Sequence, residues 1–202
     1  MSIWKLATYT LAAVFFTFSV PNSADAAITD SATGQSFPDT VTVSVDGKDT
    51  TLTGTGVSTR KKFFVKVYSV AHYMQDPKGS GNDLFDEILN SDKPKQLFLK
   101  WVRSASGKKV QDGYKESFDK VVSRGQSNVQ SDVDKYIGFF SKGVTEGNTH
   151  QMNWLPDGTI EVYINGNQVG SIKNKDFAKA LWEIWFGRKS VVNRNQLVSR
   201  VR

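Results

Sequence analysis

The side chains that most often carry catalysis or bind metals are scarce in this sequence. It contains two histidines, His72 and His150, and no cysteine. A metal site needs several convergent His, Cys or carboxylate ligands, and neither histidine has a second histidine two or four residues away. The chain also lacks a Gly-Lys-Ser/Thr phosphate loop and a Gly-x-Ser-x-Gly elbow. We therefore predict no metal, no cofactor and no serine- or cysteine-based hydrolysis.

The charge pattern argues against nucleic acid as a partner. The net charge is +6, but basic and acidic residues alternate along most of the chain. The densest basic clusters are Arg60-Lys61-Lys62 and Arg188-Lys189, and neither forms a stripe or a known nucleic-acid module. The sequence predicts no nucleic-acid binding, and it allows weak contact with a membrane surface through anionic headgroups.

The first 26 residues have the three parts of a secretory signal peptide. Lys5 precedes a short apolar run, Leu6–Val20, and small residues at Ala24 and Ala26 suit a signal peptidase. A spanning helix needs about 20 apolar residues, so we expect cleavage after Ala26 and an exported, periplasmic protein. Residues 27–40 are polar and aperiodic and are predicted to be a flexible leader, and residues 41–202 a single domain.

The elements of that domain follow from periodicity and turn residues. Strands are expected at 41–45, 50–53, 63–74, 96–102, 149–155, 159–164 and 168–172, with Asp46-Gly47 and Asn165-Gly166 as hairpin turns. Helices are expected at 84–90, 108–122, 131–142 and from an Asn174 cap to Gly187. Because strands flank helices without βα alternation, the pattern predicts an α+β fold with an antiparallel sheet covered by helices.

Three segments together resemble the chalcone isomerase-like family, in its bacterial exported branch. They are residues 54–73 (GTGVSTRKKFFVKVYSVAHY), 91–97 (SDKPKQL) and 165–187 (NGNQVGSIKNKDFAKALWEIWFG). The resemblance implies an open-faced β-sandwich, a large antiparallel sheet packed by a layer of helices. Some members of the family are intramolecular lyases that close a chalcone into a flavanone, whereas others bind fatty acids.

Both kinds of member use an arginine that precedes a long strand, and the resemblance implies that Arg60 takes this role. In the isomerases the arginine stabilises an enolate oxygen, and in the binders it holds a carboxylate. Ser58 is the alternative residue for the same position. Tyr68 matches the hydroxyl residue of the strand, while the family's helix Tyr, helix Asn and C-terminal hydroxyl residue fall near Val110, Ser117 and Ile184.

These departures favour ligand binding over isomerisation, since most of the polar set that orients a chalcone is replaced. The predicted partner is a fatty acid, a similar small apolar carboxylate or another hydrophobic ligand. The alternatives are a chalcone isomerase-type enzyme that uses Arg60 and Tyr68, and an accessory envelope protein without a ligand.

One geometric condition limits the predicted site. On an unbroken strand Arg60 and Tyr68 would lie roughly 26 Å apart, at about 3.3 Å per residue. They can meet one ligand only if the chain folds back, and the sequence suggests such a turn between Gly54 and Thr59. Otherwise Arg60 belongs to a solvated basic cluster with Lys61 and Lys62.

Overall fold

The structure, a computed structural model, describes residues 27–122 and 127–201. The signal peptide predicted for residues 1–26 lies outside them. The strands are β1 (Ala27–Thr29), β2 (Ser36–Pro38), β3 (Thr40–Val45), β4 (Lys48–Lys62), β5 (Val65–Met74), β6 (Lys95–Trp101), β7 (Thr149–Trp154), β8 (Thr159–Ile164) and β9 (Asn167–Lys173). The helices are α1 (Gly81–Asn90), α2 (Gly107–Val121), α3 (Ser127–Gly138), α4 (Lys175–Phe186) and α5 (Arg194–Leu197).

Strands β3 to β9 form one antiparallel sheet in the order β3-β4-β5-β6-β7-β8-β9. Neighbours in sequence are therefore neighbours in space, and no crossover is needed. Helices α1 to α4 cover one face of the sheet and share a core with it. The α+β class with a helix-covered antiparallel sheet is the predicted one. Within the described ranges, no helix is long and apolar enough to span a bilayer.

Strand β5 lies inside the sheet, between β4 and β6, and is covered on both faces. Every residue from Tyr68 to Met74 is buried, as the apolar run on both parities predicts. Val70 and Met74 face the helix-side core, whereas Ala71 and Tyr73 belong to a second apolar cluster on the opposite face.

The segment predicted to be a flexible leader is part of the domain. β1 and β2 pair as a hairpin, and Ile28 and Phe37 are buried in the second cluster against Ala71 and Tyr73. The prediction of a flexible leader was wrong because it rested only on the polarity of the segment. The hairpin buries just two apolar side chains, one on each strand, which is too few to produce a visible period.

Asp30 attaches this hairpin to the sheet. Its carboxylate accepts hydrogen bonds from Thr59 Oγ1 at 2.5 Å, Ser69 Oγ at 2.6 Å, Thr33 Oγ1 at 3.1 Å and the Ala32 amide at 3.0 Å. Burial alone would raise the pKa of Asp30, but these donors together lower it. Thr59 and Ser69 are direct partners across β4 and β5, so the carboxylate also joins the two strands.

Strand β4 is much longer than the predicted return strand at 50–53. It runs for 15 residues, and Gly54 and Gly56 flank a β-bulge rather than a turn. The C-terminal segment docks on this bulge, where Thr55 Oγ1 donates to the Leu197 carbonyl at 2.6 Å. A Cβ at position 56 would lie 2.2 Å from the Gln196 carbonyl oxygen. Glycine is therefore required there by the close approach of two backbones.

The helix ends follow the expected chemistry in α4 and differ in α3. Asn174 caps α4 by accepting hydrogen bonds from the Asp176 and Phe177 amides, and Gly187 follows its last residue. Helix α3 begins at Ser127, one turn before the predicted start at residue 131, and ends at Gly138 rather than 142. Four apolar residues of the predicted helices, Phe118, Phe140, Leu181 and Ile184, are all buried in the helix-side core.

Replacing Leu181 by alanine should cost about 2–5 kcal/mol in the free energy of unfolding, because its side chain is fully buried in this core. Leu89→Ala is the matched control, since Leu89 is only half-buried at the end of α1 and should cost less. Chemical denaturation of both variants measures the difference. A loss below about 1 kcal/mol for Leu181→Ala would contradict this packing.

Acid should destabilise the fold through its two buried histidines. Burial lowers the pKa of His72 and that of His150, the latter to about 3, whereas an unfolded histidine titrates near 6.5. Below pH 6.5 the unfolded chain binds protons that the folded chain does not bind. The free energy of unfolding should therefore fall with falling pH, by about 1.4 kcal/mol per pH unit for each histidine.

His150→Gln tests this pH dependence, because glutamine keeps an acceptor for Trp101 Nε1, which donates to His150 Nδ1 at 3.3 Å. Denaturant titrations between pH 6 and pH 4 should give a shallower loss of stability for the variant than for the parent chain. Equal slopes would show that His150 does not contribute.

Candidate functional site

A cavity of about 600 Å³ lies between the end of the β4–β5 hairpin and the helices α2 and α4. The end of β6 and the segment that follows it complete the wall. Ligand pockets in proteins commonly enclose about 300–1,000 Å³, so the space is large enough for a small molecule. We call it the Arg60 cavity.

All five predicted site residues line the Arg60 cavity, although they come from four different elements. Arg60 lies on β4, Tyr68 on β5, Val110 and Ser117 on α2, and Ile184 on α4. The alternative residue, Ser58, is buried elsewhere and donates its hydroxyl to Gln196 Oε1 at 2.9 Å. Of the two, Arg60 is the one that lines the cavity.

Arg60 and Tyr68 meet because the chain folds back between them. They are direct partners across the antiparallel strands β4 and β5, a relation that places Cβ atoms about 4.5–5.5 Å apart. The turn that brings them together is at Phe63 and Phe64, not between Gly54 and Thr59 as predicted. The predicted strand at 63–74 accordingly begins only at Val65.

Tyr68 is held rigidly in the wall of the cavity. Its ring is buried and packs edge-to-face on Trp101, with the centroids 5.4 Å apart, and its hydroxyl oxygen accepts a hydrogen bond from Trp185 Nε1 at 3.2 Å. Burial raises the pKa of Tyr68, and the positive charge of Arg60 opposes this rise only in part. The hydroxyl therefore stays protonated at neutral pH and can donate to an acceptor on a ligand.

Tyr114 is a polar residue of the cavity that the sequence analysis missed. Its hydroxyl is buried and has no hydrogen-bond partner among the described residues. Its ring stacks on Phe140 with centroids 4.6 Å apart and meets Tyr136 edge-on. Burial and the neighbouring Tyr68 raise the pKa of Tyr114, so this hydroxyl also remains a donor. The Tyr136 hydroxyl is a polar neighbour that lowers the pKa of Tyr114 in part, but the two hydroxyls do not meet the geometry of a hydrogen bond, and Tyr136 does not line the cavity.

A sequence signal for Tyr114 existed in the helical stripe of α2. Tyr114 lies four residues after Val110 and three before Ser117, which places all three on one face of the helix. The polar positions of the family fall near Val110 and Ser117, so the resemblance did not predict a role for the tyrosine between them.

The other predicted residues give the cavity an apolar character. Val110 and Ile184 are buried and carry no polar atom in their side chains. The Ser117 hydroxyl donates to the Gly113 carbonyl at 2.7 Å, within its own helix. Trp101, Val67 and Trp185 add apolar walls. The polar groups of the interior are thus concentrated at Arg60, Tyr68 and Tyr114.

The rim of the cavity is predominantly basic. Lys62, Arg103 and Lys109 line it together with Arg60, against the single carboxylate of Asp112. Lys62 also pairs with Glu116 at 2.7 Å, and both side chains are close to half-exposed. Such an exposed pair contributes little to stability, but the excess of basic groups attracts an anion toward the opening.

The histidines do not take part in this site. His72 and His150 are buried in the helix-side layer, where His72 meets Phe186 edge-on and His150 packs on Phe140. In the part of the chain that the structure describes, no three His, Cys, Asp or Glu side chains are grouped so that they could hold a metal ion.

Comparison with known proteins gives a family for the sequence and a structure of similar fold. Residues 29–196 match the sequence profile of a family described as chalcone isomerase-like. The fold is similar to the crystal structure of a fatty-acid binding protein of Arabidopsis thaliana, with a TM-score of 0.71. The two chains are 17% identical, and the alignment covers 86% of this chain and 96% of that chain. No curated protein matches the chain significantly.

The profile match extends from the β1–β2 hairpin to α5 and includes the whole seven-stranded sheet, the four covering helices and every residue of the Arg60 cavity named above. The protein therefore belongs to the chalcone isomerase-like family.

Proposed function

We propose that this protein binds a fatty acid, or another small apolar carboxylate, in the Arg60 cavity. The observation that carries the proposal is the combination of the Arg60 guanidinium and two phenolic hydroxyls with apolar inner walls, in a cavity whose rim is basic. The Arabidopsis protein of similar fold is itself a fatty-acid binding protein, which supports this choice of ligand.

The polar end of the cavity suits a carboxylate. A guanidinium offers parallel N–H donors that match the two carboxylate oxygens. The Tyr68 and Tyr114 hydroxyls remain protonated because burial raises the pKa of both groups, so each can donate a further hydrogen bond. A buried hydroxyl without a partner costs free energy, and a ligand oxygen at Tyr114 would remove that cost.

The apolar walls suit a hydrocarbon chain. Val110, Trp101, Ile184 and Trp185 are buried side chains that line the space beside the polar end. Each methylene group transferred from water to such surroundings contributes about 0.8 kcal/mol. The length of the chain would therefore set most of the affinity, and the carboxylate contacts would set its orientation.

The glycine at position 113 supports the proposal because it leaves open space in the cavity next to α2. It lies inside α2 and lines the cavity, and a Cβ at this position would meet no atom within 4 Å. Glycine inside a helix costs about 0.5–1 kcal/mol relative to alanine. The local backbone does not require it, and its effect is to leave the cavity open.

Catalysis of the chalcone isomerase type is the alternative, and Tyr114 is the observation that favours it. Arg60 with the Tyr68 and Tyr114 hydroxyls would stabilise an enolate oxygen as well as a carboxylate. The side chains of Val110, Ser117 and Ile184, however, present no unsatisfied polar group to orient a chalcone. Conversion of a chalcone by the purified protein, lost on Arg60→Ala, would establish the enzyme in place of the binder.

Arg60→Ala should weaken the binding of a long-chain fatty acid roughly 10- to 150-fold, the equivalent of about 1.5–3 kcal/mol for a charge-assisted contact. Tyr68→Phe and Tyr114→Phe should weaken it less, since each removes one neutral donor. Lys61→Ala is the matched control, because Lys61 carries the same charge and does not line the cavity. Displacement of a fluorescent fatty acid measures all four. An equal loss for Lys61→Ala that disappears in salt would reduce the site to a diffuse basic surface.

Gly113→Leu should abolish fatty-acid binding while the folded state stays as stable as the parent chain or becomes more stable. The leucine side chain would occupy the open space, and the helix would lose a glycine. Gly138→Leu is the control, because Gly138 ends α3 with equally open surroundings but lies away from the cavity. Thermal unfolding and fatty-acid titration report the two effects separately. Unchanged binding in Gly113→Leu would place the ligand elsewhere.

A further inference from the structure

The tip of the β4–β5 hairpin exposes two adjacent aromatic rings. Phe63 is 86% exposed and Phe64 is 99% exposed, and Val65 beside them is 43% exposed. Burying a phenylalanine side chain normally stabilises a protein. The exposed Phe63 and Phe64 side chains therefore contribute nothing of this kind to the stability of the chain. Contiguous exposed apolar groups of this kind mark contact sites.

The backbone at the tip is also unfavourable for these residues. Phe63 and Phe64 are the two central residues of the turn, and both have positive φ, 47° and 67°. The left-handed region is disfavoured for residues that carry a Cβ, and tight hairpins favour Asn-Gly or Asp-Gly at these positions.

Two other hairpins of the same chain show the favoured choice. The β3–β4 turn is Asp46-Gly47 and the β8–β9 turn is Asn165-Gly166, again with positive φ at both residues. The Phe-Phe turn therefore combines backbone strain with exposed apolar side chains, whereas the Asp-Gly and Asn-Gly turns have neither. Strain at an exposed and chemically distinctive segment points to a role in contact with something else.

The charges around the tip indicate what that contact is. Lys61, Lys62 and Lys66 are exposed on either side of the two rings; Lys62 also pairs with Glu116 of α2, and Lys66 also donates to the Ala32 carbonyl. The segment from residue 60 to residue 68 itself contains no acidic residue. Aromatic side chains favour the headgroup region of a bilayer, and lysines near the surface are attracted by anionic lipids. The exposed aromatic rings suit the headgroup region and the flanking lysines suit anionic lipids, so the tip as a whole matches an anionic bilayer.

We propose that the β4–β5 hairpin docks the protein on anionic membranes, with Phe63 and Phe64 inserted among the headgroups and Lys61, Lys62 and Lys66 on the lipid phosphates. This docking proposal depends only on the residues at the hairpin tip. Its consequence for the ligand rests on the proposed function: Lys62, Phe63 and Val65 also line the Arg60 cavity, so docking would bring its rim to the bilayer. A fatty acid would then pass between membrane and cavity with little of its chain exposed to water.

The test is flotation of the purified protein with vesicles of phosphatidylcholine alone and of phosphatidylcholine with about 30% phosphatidylglycerol. The parent chain should bind the anionic vesicles and leave the neutral ones largely unbound. Phe64→Gly should reduce that binding at least tenfold without loss of thermal stability, because glycine accepts positive φ. Val169→Asn is the control, since it removes an apolar side chain, 39% exposed, from the edge strand β9, which does not neighbour the β4–β5 hairpin.

Three results would overturn the proposal: equal flotation with both vesicles, unchanged flotation of Phe64→Gly, or a dimer in solution that Phe64→Gly dissociates. The last would assign the tip to a second copy of the chain. Fatty-acid affinity without vesicles is measured in parallel. Phe64 does not line the cavity, so Phe64→Gly should retain that affinity, whereas Arg60→Ala should lose it and still float. A protein that floats but binds no fatty acid would retain the docking surface and refute the proposed function.

Discussion

The pairing of β4 with β5 is the constraint on which the rest of the candidate site depends. A two-residue turn at Phe63 and Phe64 pairs Lys62 with Val65, and a β-bulge between Arg60 and Lys61 then places Arg60 directly opposite Tyr68. A slip of one residue would move every side chain of the strand to the other face of the sheet. Arg60 would then leave the cavity and Tyr68 would leave its hydrogen bond with Trp185.

The opposite face of the sheet secures this register. Thr59 and Ser69 are the pair next to Arg60 and Tyr68, and both donate to the Asp30 carboxylate of the β1–β2 hairpin. Side chains alternate across a strand, so the two pairs point to opposite faces. The hairpin at the N-terminal edge of the domain therefore holds the backbone of the ligand-facing pair from behind, by charge-assisted hydrogen bonds.

Departures from local stability rules collect around the Arg60 cavity. Phe63 and Phe64 occupy a turn that favours Asn-Gly, Gly113 occupies a helix interior, and Tyr114 has a buried hydroxyl without a partner among the described residues. The Asn174 cap of α4 and the Asp-Gly and Asn-Gly turns of two other hairpins, by contrast, follow the rules. Such local conflicts are expected at functional sites, where binding rather than stability decides the residue.

The sequence by itself determined the type and order of most elements, the caps of α4, the family, and five residues that line one cavity. The elements and caps depend on signals within a few residues: a period of two or 3.6, a turn dipeptide, a capping side chain. The family and the five residues depend on the resemblance of three longer segments to the chalcone isomerase-like family. Only the tertiary structure decided where the chain folds back before Tyr68, because Phe-Phe carries no turn signal. It alone joined residues 27–40 to the domain, since Asp30 finds its donors 29 and 39 residues away. It also identified Tyr114 as a site residue. Whether a buried hydroxyl has a hydrogen-bond partner depends on contacts between elements, and no local sequence pattern contains that information.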